Sequence, residues 1–207
     1  MNKKLILILV VLMLSLNAAF SQKLKNRQKF QATDFVYNLT FSTPNVIGNG
    51  GSSRAMNIDT LSSLAGEGVS MAYTVVKPCG LVLPHVHQRA TELILVVKGT
   101  FQTAFVEENN GRTIINTLTA GQSTFFPQGL IHQEHNIGCE EAIFVSAFSS
   151  EDPGALTVST RMFTLPDESL QATFAEKQPV IDKLREDLPA SPAAGTAQCL
   201  KKCGLKK

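Results

Sequence analysis

A series of short apolar segments limits the possible folds of this chain more than any other property. They lie between Val69 and Phe163, are rich in branched and aromatic residues, and are bounded by Gly, Pro or Asn. Strands of this length, separated by turn residues at this spacing, are typical of an antiparallel sandwich or barrel. The stretch Glu108–Gly111 predicts a hairpin turn, because Asn and Gly tolerate positive φ. The predicted strands are Met71–Val76, Leu93–Val97, Thr100–Val106, Thr113–Leu118, Ser123–Phe126 and Ala142–Phe148.

The regions on either side of these strands have a different character. Gln22–Ser70 is polar and rich in Gly and Ser, which predicts loops and short strands. After the last strand, apolar residues recur at helical spacing in Asp167–Phe174 and in Pro179–Leu188, where proline stands in the first turn. We therefore expect an all-β fold with C-terminal helices, followed by a loose basic tail, residues 191–207, that contains two cysteines.

The amino terminus has the three parts of a secretory signal peptide. Lys3 and Lys4 precede the apolar run Leu5–Leu14, and small residues follow up to Ser21. We expect residues 1–21 to be removed, so that no membrane segment remains in the mature protein. A membrane anchor is the alternative, but this apolar run is shorter than the roughly 20 residues that cross a bilayer.

Removal of that segment leaves residues 22–190 for a single domain, with the tail behind it. Secretion implies an extracellular protein, with the cell wall or matrix as candidate locations, and makes Asn38 a glycosylation acceptor within Asn-Leu-Thr. With a net charge of +2 and 17% charged residues, the chain lacks the basic surface that binds nucleic acid. The cysteines allow three pairings, which the sequence does not distinguish. They are Cys79, Cys139, Cys199 and Cys203.

A candidate metal site is formed by three histidines and one glutamate. His85 and His87 are two residues apart on a predicted strand, so both imidazoles point to one face. Glu92 opens the next strand after a polar turn that resets the alternation, and a carboxylate beside so apolar a run needs a partner such as a cation. His132 follows a strand and a tight turn and would approach from a neighbouring segment. His135, the remaining histidine, is expected to be a surface imidazole.

The segments that contain these residues resemble the two sequence motifs of the cupin superfamily. Cys79–Gly99 has the histidines, the glutamate and the closing glycine at the spacing of the first motif, but Cys79 replaces its opening glycine. Gly121–Asn136 fits the second motif at each position. Within the superfamily, Pro84–Glu92 and Pro127–His132 are similar to germin-like proteins, including slime-mould spherulins. The resemblance extends over most of the mature chain.

This resemblance implies a cupin β-barrel, or jelly roll, in which His85, His87, Glu92 and His132 hold one manganese ion per subunit. Residue chemistry alone does not select manganese, because imidazole also suits other divalent metals such as zinc, copper, iron and nickel. Positions left open on the ion would admit water or substrate. Germin-like proteins also form dimers and trimers of dimers, so the resemblance implies a homo-oligomer. Their amino-terminal disulfide has no counterpart here, since residues 22–78 contain no cysteine.

For function, the resemblance implies either a redox enzyme acting on a small anionic substrate or a non-enzymatic protein. Oxalate-oxidising germins hold their substrate with two asparagines, and Ala72 and Val82 stand at those positions here, without a side-chain donor. Superoxide dismutase activity needs only an open position on the metal and a path for a small anion, so it is preferred to oxalate oxidase activity. The alternative is an extracellular structural, storage or stress protein, because spherulins are associated with encystment. A ligand-binding cupin is a third reading. Its pocket would be lined by Val82, Leu83, Phe125 and Phe126, although apolar residues of this kind more often belong to the core.

Overall fold

The computed structural model describes residues 3–205, except for the side chains of residues 3 and 17–26. Two antiparallel sheets and several helices make up this part of the chain. The strands are β1 Val46–Gly48, β2 Gly51–Met56, β3 Ser70–Val76, β4 Leu81–Val86, β5 Glu92–Lys98, β6 Thr100–Val106, β7 Thr113–Thr119, β8 Ser123–Phe126, β9 His132–Asn136, β10 Ala142–Phe148 and β11 Leu156–Thr157. The helices are α1 Lys3–Arg27, α2 Val158–Met162, α3 Asp167–Phe174, α4 Gln178–Asp187 and α5 Ala197–Lys202.

The two sheets pack face to face around one core. The first has the strand order β1-β2-β3-β10-β5-β8 and the second has the order β11-β4-β9-β6-β7. Buried and exposed residues alternate along β3 and β5, as expected for strands with one face towards the core. Ile94 and Phe126 of the first sheet meet Phe101 of the second, and all are 1% exposed or less. The prediction of an all-β fold with C-terminal helices is confirmed.

The predicted strands agree with the observed ones to within one residue at either end. The hairpin between β6 and β7 also forms as expected, with Asn110 at φ 72° and the Gly111 N–H donating to the Glu108 carbonyl over 2.7 Å. Strand β9 was not predicted, because His132–Asn136 contains no apolar residue. It lies at the centre of the second sheet, between β4 and β6.

The expectation of a loose C-terminal tail is wrong. Disulfides join Cys79 to Cys199 and Cys139 to Cys203, which selects one of the three pairings that the sequence left open. Ahead of α5, Ala193 and Leu81 exchange both backbone hydrogen bonds, at 2.9 and 2.7 Å. The tail is therefore fixed to the start of β4.

Glycine makes the close approach of the tail to the barrel possible. The Gly50 N–H donates to the Pro192 carbonyl over 2.8 Å, and a Cβ at Gly50 would overlap the carbonyl of Ala193. Gly195 has a φ of +86°, and a Cβ there would overlap the carbonyl of Cys79. A side chain at either glycine would force the tail away from the barrel.

Helix α1 contains residues 3–21 of the predicted signal peptide, and its apolar side chains between residues 5 and 16 are exposed. Leu7 is 65% exposed and Leu16 is 69% exposed. Within residues 3–205, no helix has the length and hydropathy needed to cross a membrane. Residues 1 and 2 of the predicted signal peptide and residues 206 and 207 of the tail lie outside the described part, and cleavage after Ser21 stays a prediction.

Candidate metal centre

Three imidazoles and one carboxylate converge between the two sheets. One ligand atom from each of the four side chains lies within 4.8 Å of every other. His85 is the penultimate residue of β4, and the register of β4 with β9 places it directly opposite His132. His87 follows immediately after β4, and Glu92 enters from the first sheet as the first residue of β5. The residues expected from the sequence to meet therefore do meet, and their role as metal ligands stays a prediction.

Each imidazole is oriented by the backbone in the same way. Nδ1 of His85 lies 2.9 Å from the Leu83 carbonyl, and Nδ1 of His132 lies 2.8 Å from the Leu130 carbonyl. Nδ1 of His87 makes the equivalent hydrogen bond with the carbonyl of Gly154. A carbonyl can only accept, so each Nδ1 carries a proton. In the neutral imidazole Nε2 is then left with a lone pair, which is the form in which histidine binds metals; without an ion, a second proton on Nε2 would donate to Glu92.

Glu92 supplies the negative charge of the cluster. Its side chain is 4% exposed, and its Oε2 lies 2.9 Å from Nε2 of His132 and 3.2 Å from Nε2 of His87. Adjacent ligands on one ion with bonds of about 2.1 Å are separated by about 3 Å when they are at right angles. The spacing and the donor set therefore fit one divalent cation bound by nitrogen and oxygen.

Burial and mutual contact shift the pKa values of the cluster in different directions. Loss of solvation, reinforced by the neighbouring His132, lowers the pKa of His85 to about 3. Burial also lowers the pKa of His87, but its hydrogen bond with Glu92 and the charge of that carboxylate outweigh burial and leave the pKa raised. Burial acts to raise the pKa of Glu92, whereas the hydrogen bonds from His132 and His87 lower it, and the net shift is downward.

Aromatic side chains hold the imidazoles from outside the cluster. Phe126 stacks on His132 with ring centroids 4.4 Å apart and planes 11° apart. Phe148 approaches His87 edge-on at 4.7 Å. These rings are buried and limit the rotation of the imidazoles, so the ligand geometry is set before any ion binds.

A cavity of about 150 Å³ opens beside the cluster. His85 and His87 form part of its wall, together with Val82, which confirms one of the predicted pocket residues. Phe126 belongs to the core instead, and Phe125 is 56% exposed on the outside of the barrel, so its assignment to a pocket is wrong. The remaining wall consists of Val46, Ser53, Thr74, Glu134, Phe144, Phe148, Ala155, Thr157, Ser191 and Pro192.

Sequence reasoning missed one residue of β9, Glu134, and misplaced another, His135, whereas Asn136 is the last position of the second motif. Glu134 is 1% exposed and points into the cavity, and burial together with the charge of Glu92 raises its pKa well above the ordinary value. Asn136 donates to the carbonyls of Val76 and Glu140 and is fully buried. His135 is 8% exposed rather than a surface imidazole, and it lies outside the cluster. The signal for Glu134 was its even spacing from His132, which places both on one face of the strand.

The protein therefore belongs to a class of jelly-roll barrels. In this class two antiparallel sheets face each other, and imidazoles and a carboxylate converge at one polar site between them. Residues 37–182 match the cupin family, and the chain belongs to that family. Within it the relatives are germin-like proteins and spherulins, which confirms the resemblance found in the sequence.

Two relatives and one solved structure illustrate the similarity. Spherulin-1A of Physarum polycephalum is 38% identical over 159 residues, which cover 76% of this chain and 65% of that protein. Germin-like protein subfamily 2 member 4 of Arabidopsis thaliana is 33% identical over 168 residues, which cover 78% of this chain and 76% of that protein. A recombinant oxalate oxidase in complex with glycolate superimposes with a TM-score of 0.70 at 26% identity, over 76% of this chain and 81% of that one.

Proposed function

We propose that this chain is a secreted germin-like cupin that binds one manganese ion per subunit through His85, His87, Glu92 and His132. At that ion it acts as an oxidoreductase on a small substrate, with superoxide dismutase activity preferred to oxalate oxidase activity. The observation that carries the proposal is a preorganised cluster of ligand atoms, all within 4.8 Å of one another, two of whose histidines also line a cavity. The backbone holds the metal-binding histidines on one side of the cluster, and small molecules would approach the ion from the cavity on the other side.

The residues around the ion have separable tasks. When bound, manganese supplies a redox couple and a Lewis-acidic position. The backbone carbonyls keep each Nδ1 protonated, which leaves Nε2 of each histidine for the ion. Glu92 offsets part of the positive charge in a water-poor interior, and Phe126 and Phe148 keep bulk water from the imidazoles.

The cavity argues against oxalate as the substrate. Val82 lines it without offering a hydrogen bond, and Ala72, at the other position where oxalate-oxidising germins have asparagine, is a buried methyl group. A site built to bind a dicarboxylate needs donors at these places, and its selectivity depends on them.

Secretion and assembly are part of the same proposal. Two disulfides suit an oxidising compartment. The outer face of β5 and β8 exposes apolar side chains that a second copy of the chain would cover, in a dimer or a trimer of dimers. They are Leu93, Leu95, Val97 and Phe125.

A non-enzymatic extracellular role is the second candidate, and the identity of 38% to spherulin-1A favours it. In that case the ion would stabilise the barrel, because a cluster of buried polar side chains folds more readily around a cation. The distinction between the candidates lies in turnover rather than in metal content.

Metal analysis of the secreted protein, followed by activity assays, tests the proposal. We expect about one manganese per chain, superoxide dismutation, and no hydrogen peroxide production from oxalate. His132→Gln should remove the metal, whereas His135→Gln, a change on the same strand outside the cluster, should retain it. Folded protein without metal after expression in manganese-rich medium overturns the metal site, and manganese-loaded protein without turnover favours the non-enzymatic candidate.

A further inference from the structure

The two disulfides that hold the tail lie side by side but differ in exposure. We call Cys79–Cys199 the inner disulfide, because Cys79 is 0% exposed and Cys199 is 8% exposed, and both pack against Leu200. We call Cys139–Cys203 the outer disulfide, because Cys139 is exposed and Cys203 is half-buried. Exchange requires direct attack of a thiolate on a sulfur, so a thiol from the solvent reaches the outer disulfide and is kept from the inner one.

Charged residues next to the outer disulfide favour attack at one of its two sulfurs. Two exposed glutamates follow Cys139, and two exposed lysines precede Cys203. Attack at either sulfur expels the other as a thiolate, which leaves more readily where cations stabilise its charge. Attack at Cys139 expels the Cys203 thiolate beside the lysines, so Cys139 is the preferred point of attack. The charged residues are Glu140, Glu141, Lys201 and Lys202.

The sulfurs of the two disulfides are in contact. Sγ of Cys203 lies 3.6 Å from Sγ of Cys79, and the sulfurs of Cys79, Cys199 and Cys203 all lie within 4.8 Å of one another. A thiolate freed at Cys203 would therefore already touch the inner disulfide. Because the reacting groups are held together, this second exchange is unimolecular and is favoured over attack by a dilute external thiol.

We propose that Cys139 is a modification site for small thiols, and that its modification switches the inner disulfide from Cys79–Cys199 to Cys79–Cys203. In the first step the external thiolate attacks Sγ of Cys139, forms a mixed disulfide there and expels Cys203 as a thiolate. In the second step the Cys203 thiolate attacks Sγ of Cys79 and expels Cys199, which takes up the proton that the external thiol released. One thiol is consumed and one is formed, so the sequence needs no oxidant or reductant.

The exchange keeps the tail attached to the barrel while its outer bond is replaced. Cys203 takes the place of Cys199 as the partner of Cys79, so the tail stays bridged next to the start of β4, where the backbone pairing of Ala193 with Leu81 is unaffected. The new bridge also consumes the thiol that would otherwise reverse the first step, so the mixed disulfide persists. The four sulfurs lie outside the histidine cluster, and the modification does not require the metal.

Disulfide mapping of the wild type tests the proposal without any substitution. We would expose the folded protein briefly to reduced glutathione at about pH 8, where thiols are partly ionised. Acid would stop the exchange, a maleimide would label the free thiols, and mass spectrometry under non-reducing conditions would identify the linked peptides. The expected product carries glutathione on Cys139, the label on Cys199, and a link between Cys79 and Cys203.

Two double variants separate the two steps. When both cysteines of the outer disulfide are changed to serine, the inner disulfide should remain unmodified, because external thiols do not reach it. When both cysteines of the inner disulfide are changed to serine, Cys203 stays free after the first step and can reverse it. The yield of glutathione on Cys139 should then fall about twofold, because one of two modified products of similar free energy is no longer available. The wild-type map decides the proposal if either variant fails to fold.

The other products of the wild type would each overturn one part of the proposal. Glutathione on a cysteine other than Cys139, or no glutathione on the folded protein, overturns the modification site. Glutathione on Cys139 with the label on Cys203 and an intact inner disulfide overturns the exchange step. A link between Cys199 and Cys203 also overturns it, because the tail would then be released from Cys79.

Discussion

The metal cluster and the C-terminal tail border the same cavity, but the chain positions them by different means. His85 and His87 form one part of the wall, and Ser191 and Pro192 of the tail form another. The cluster is held by hydrogen bonds and aromatic packing inside the barrel. The tail is held by two disulfides and a short backbone pairing on the barrel surface.

Because they are held differently, the stability of each region depends on different solution conditions. Polar groups packed in an interior are stabilised when a cation satisfies them, so the cluster links stability to metal and pH. Disulfides restrict the unfolded chain and do not respond to metal or pH. The attachment of the tail therefore makes the stability of the protein depend on the redox environment. Variants that change one region should leave the dependence of the other unchanged.

The largest effect is expected from the disulfides. Cys79 and Cys199 are 120 residues apart, but the intact bridge from Cys139 to Cys203 shortens the loop that their disulfide closes to about 64 residues. The double change to serine should therefore lower the free energy of unfolding by about 4 kcal/mol, measured by urea denaturation of the purified protein. The matched double change at Cys139 and Cys203 opens a loop of the same length and should cost about the same. Losses below about 1 kcal/mol in both variants would mean that the tail adds little to stability.

The next effect concerns the metal and should leave the tail intact. Glu92→Gln removes the carboxylate charge of the cluster, so manganese affinity, measured by competition with a chelator, should fall at least about 100-fold. Glu107→Gln is the control, since Glu107 pairs with Arg112 on the hairpin away from the cluster. Thiol titration should find both disulfides formed in each variant. Equal loss of affinity in the two variants would contradict the assignment of Glu92.

In a Glu134→Gln background the pH dependence of the metal-free protein should report the cluster alone. In the wild type, the raised pKa of Glu134 lowers the stability as the pH rises above about 4.3 and opposes the effect of His85. The pKa of His85 is lowered to about 3, so below about pH 6.5 the unfolded chain binds a proton that the folded chain does not, and stability falls by up to about 1.4 kcal/mol per pH unit. The pKa of His87 is raised, so its contribution is complete below about pH 6.5 and is lost as the pH rises through the folded value. The stability of Glu134→Gln should therefore be greatest near pH 6.5.

Urea denaturation in the presence of a chelator, at pH 5.5, 6.5 and 8, would trace this maximum. In this background His85→Gln should flatten the acidic side while the alkaline side persists. The disulfide variants should keep the same profile at lower stability. A stability of Glu134→Gln that increases from pH 6.5 to 5.5 would contradict the lowered pKa of His85.

The same contrast explains which parts could be predicted from the sequence. Most of the cluster follows from local spacing, since alternation along β4 and a register-resetting turn suffice to direct His85, His87 and Glu92 into the space between the two sheets. Strand β9 lacked apolar residues because its inner positions carry His132 and Glu134, so the absence of the usual strand pattern was itself a consequence of the site. The tail was missed because its position depends on a disulfide pairing that spacing cannot select.

The smallest effect should come from the hydrogen bond that joins the tail to the cavity wall. Ser191→Ala leaves the Leu83 N–H without its acceptor and should cost about 1 kcal/mol, measured as a shift of the urea midpoint and as faster amide exchange at Leu83. Ser149→Ala is the matched control, because the Ser149 hydroxyl also accepts a backbone N–H, from Thr91, but at an exposed position where water replaces it. An effect of Ser149→Ala as large as that of Ser191→Ala would mean that the tail is held by its disulfides alone. With Ser191 intact and the disulfides removed, exchange at Leu83 would then rise as well, because only the backbone hydrogen bonds of Pro192 and Ala193 would keep the tail against the barrel.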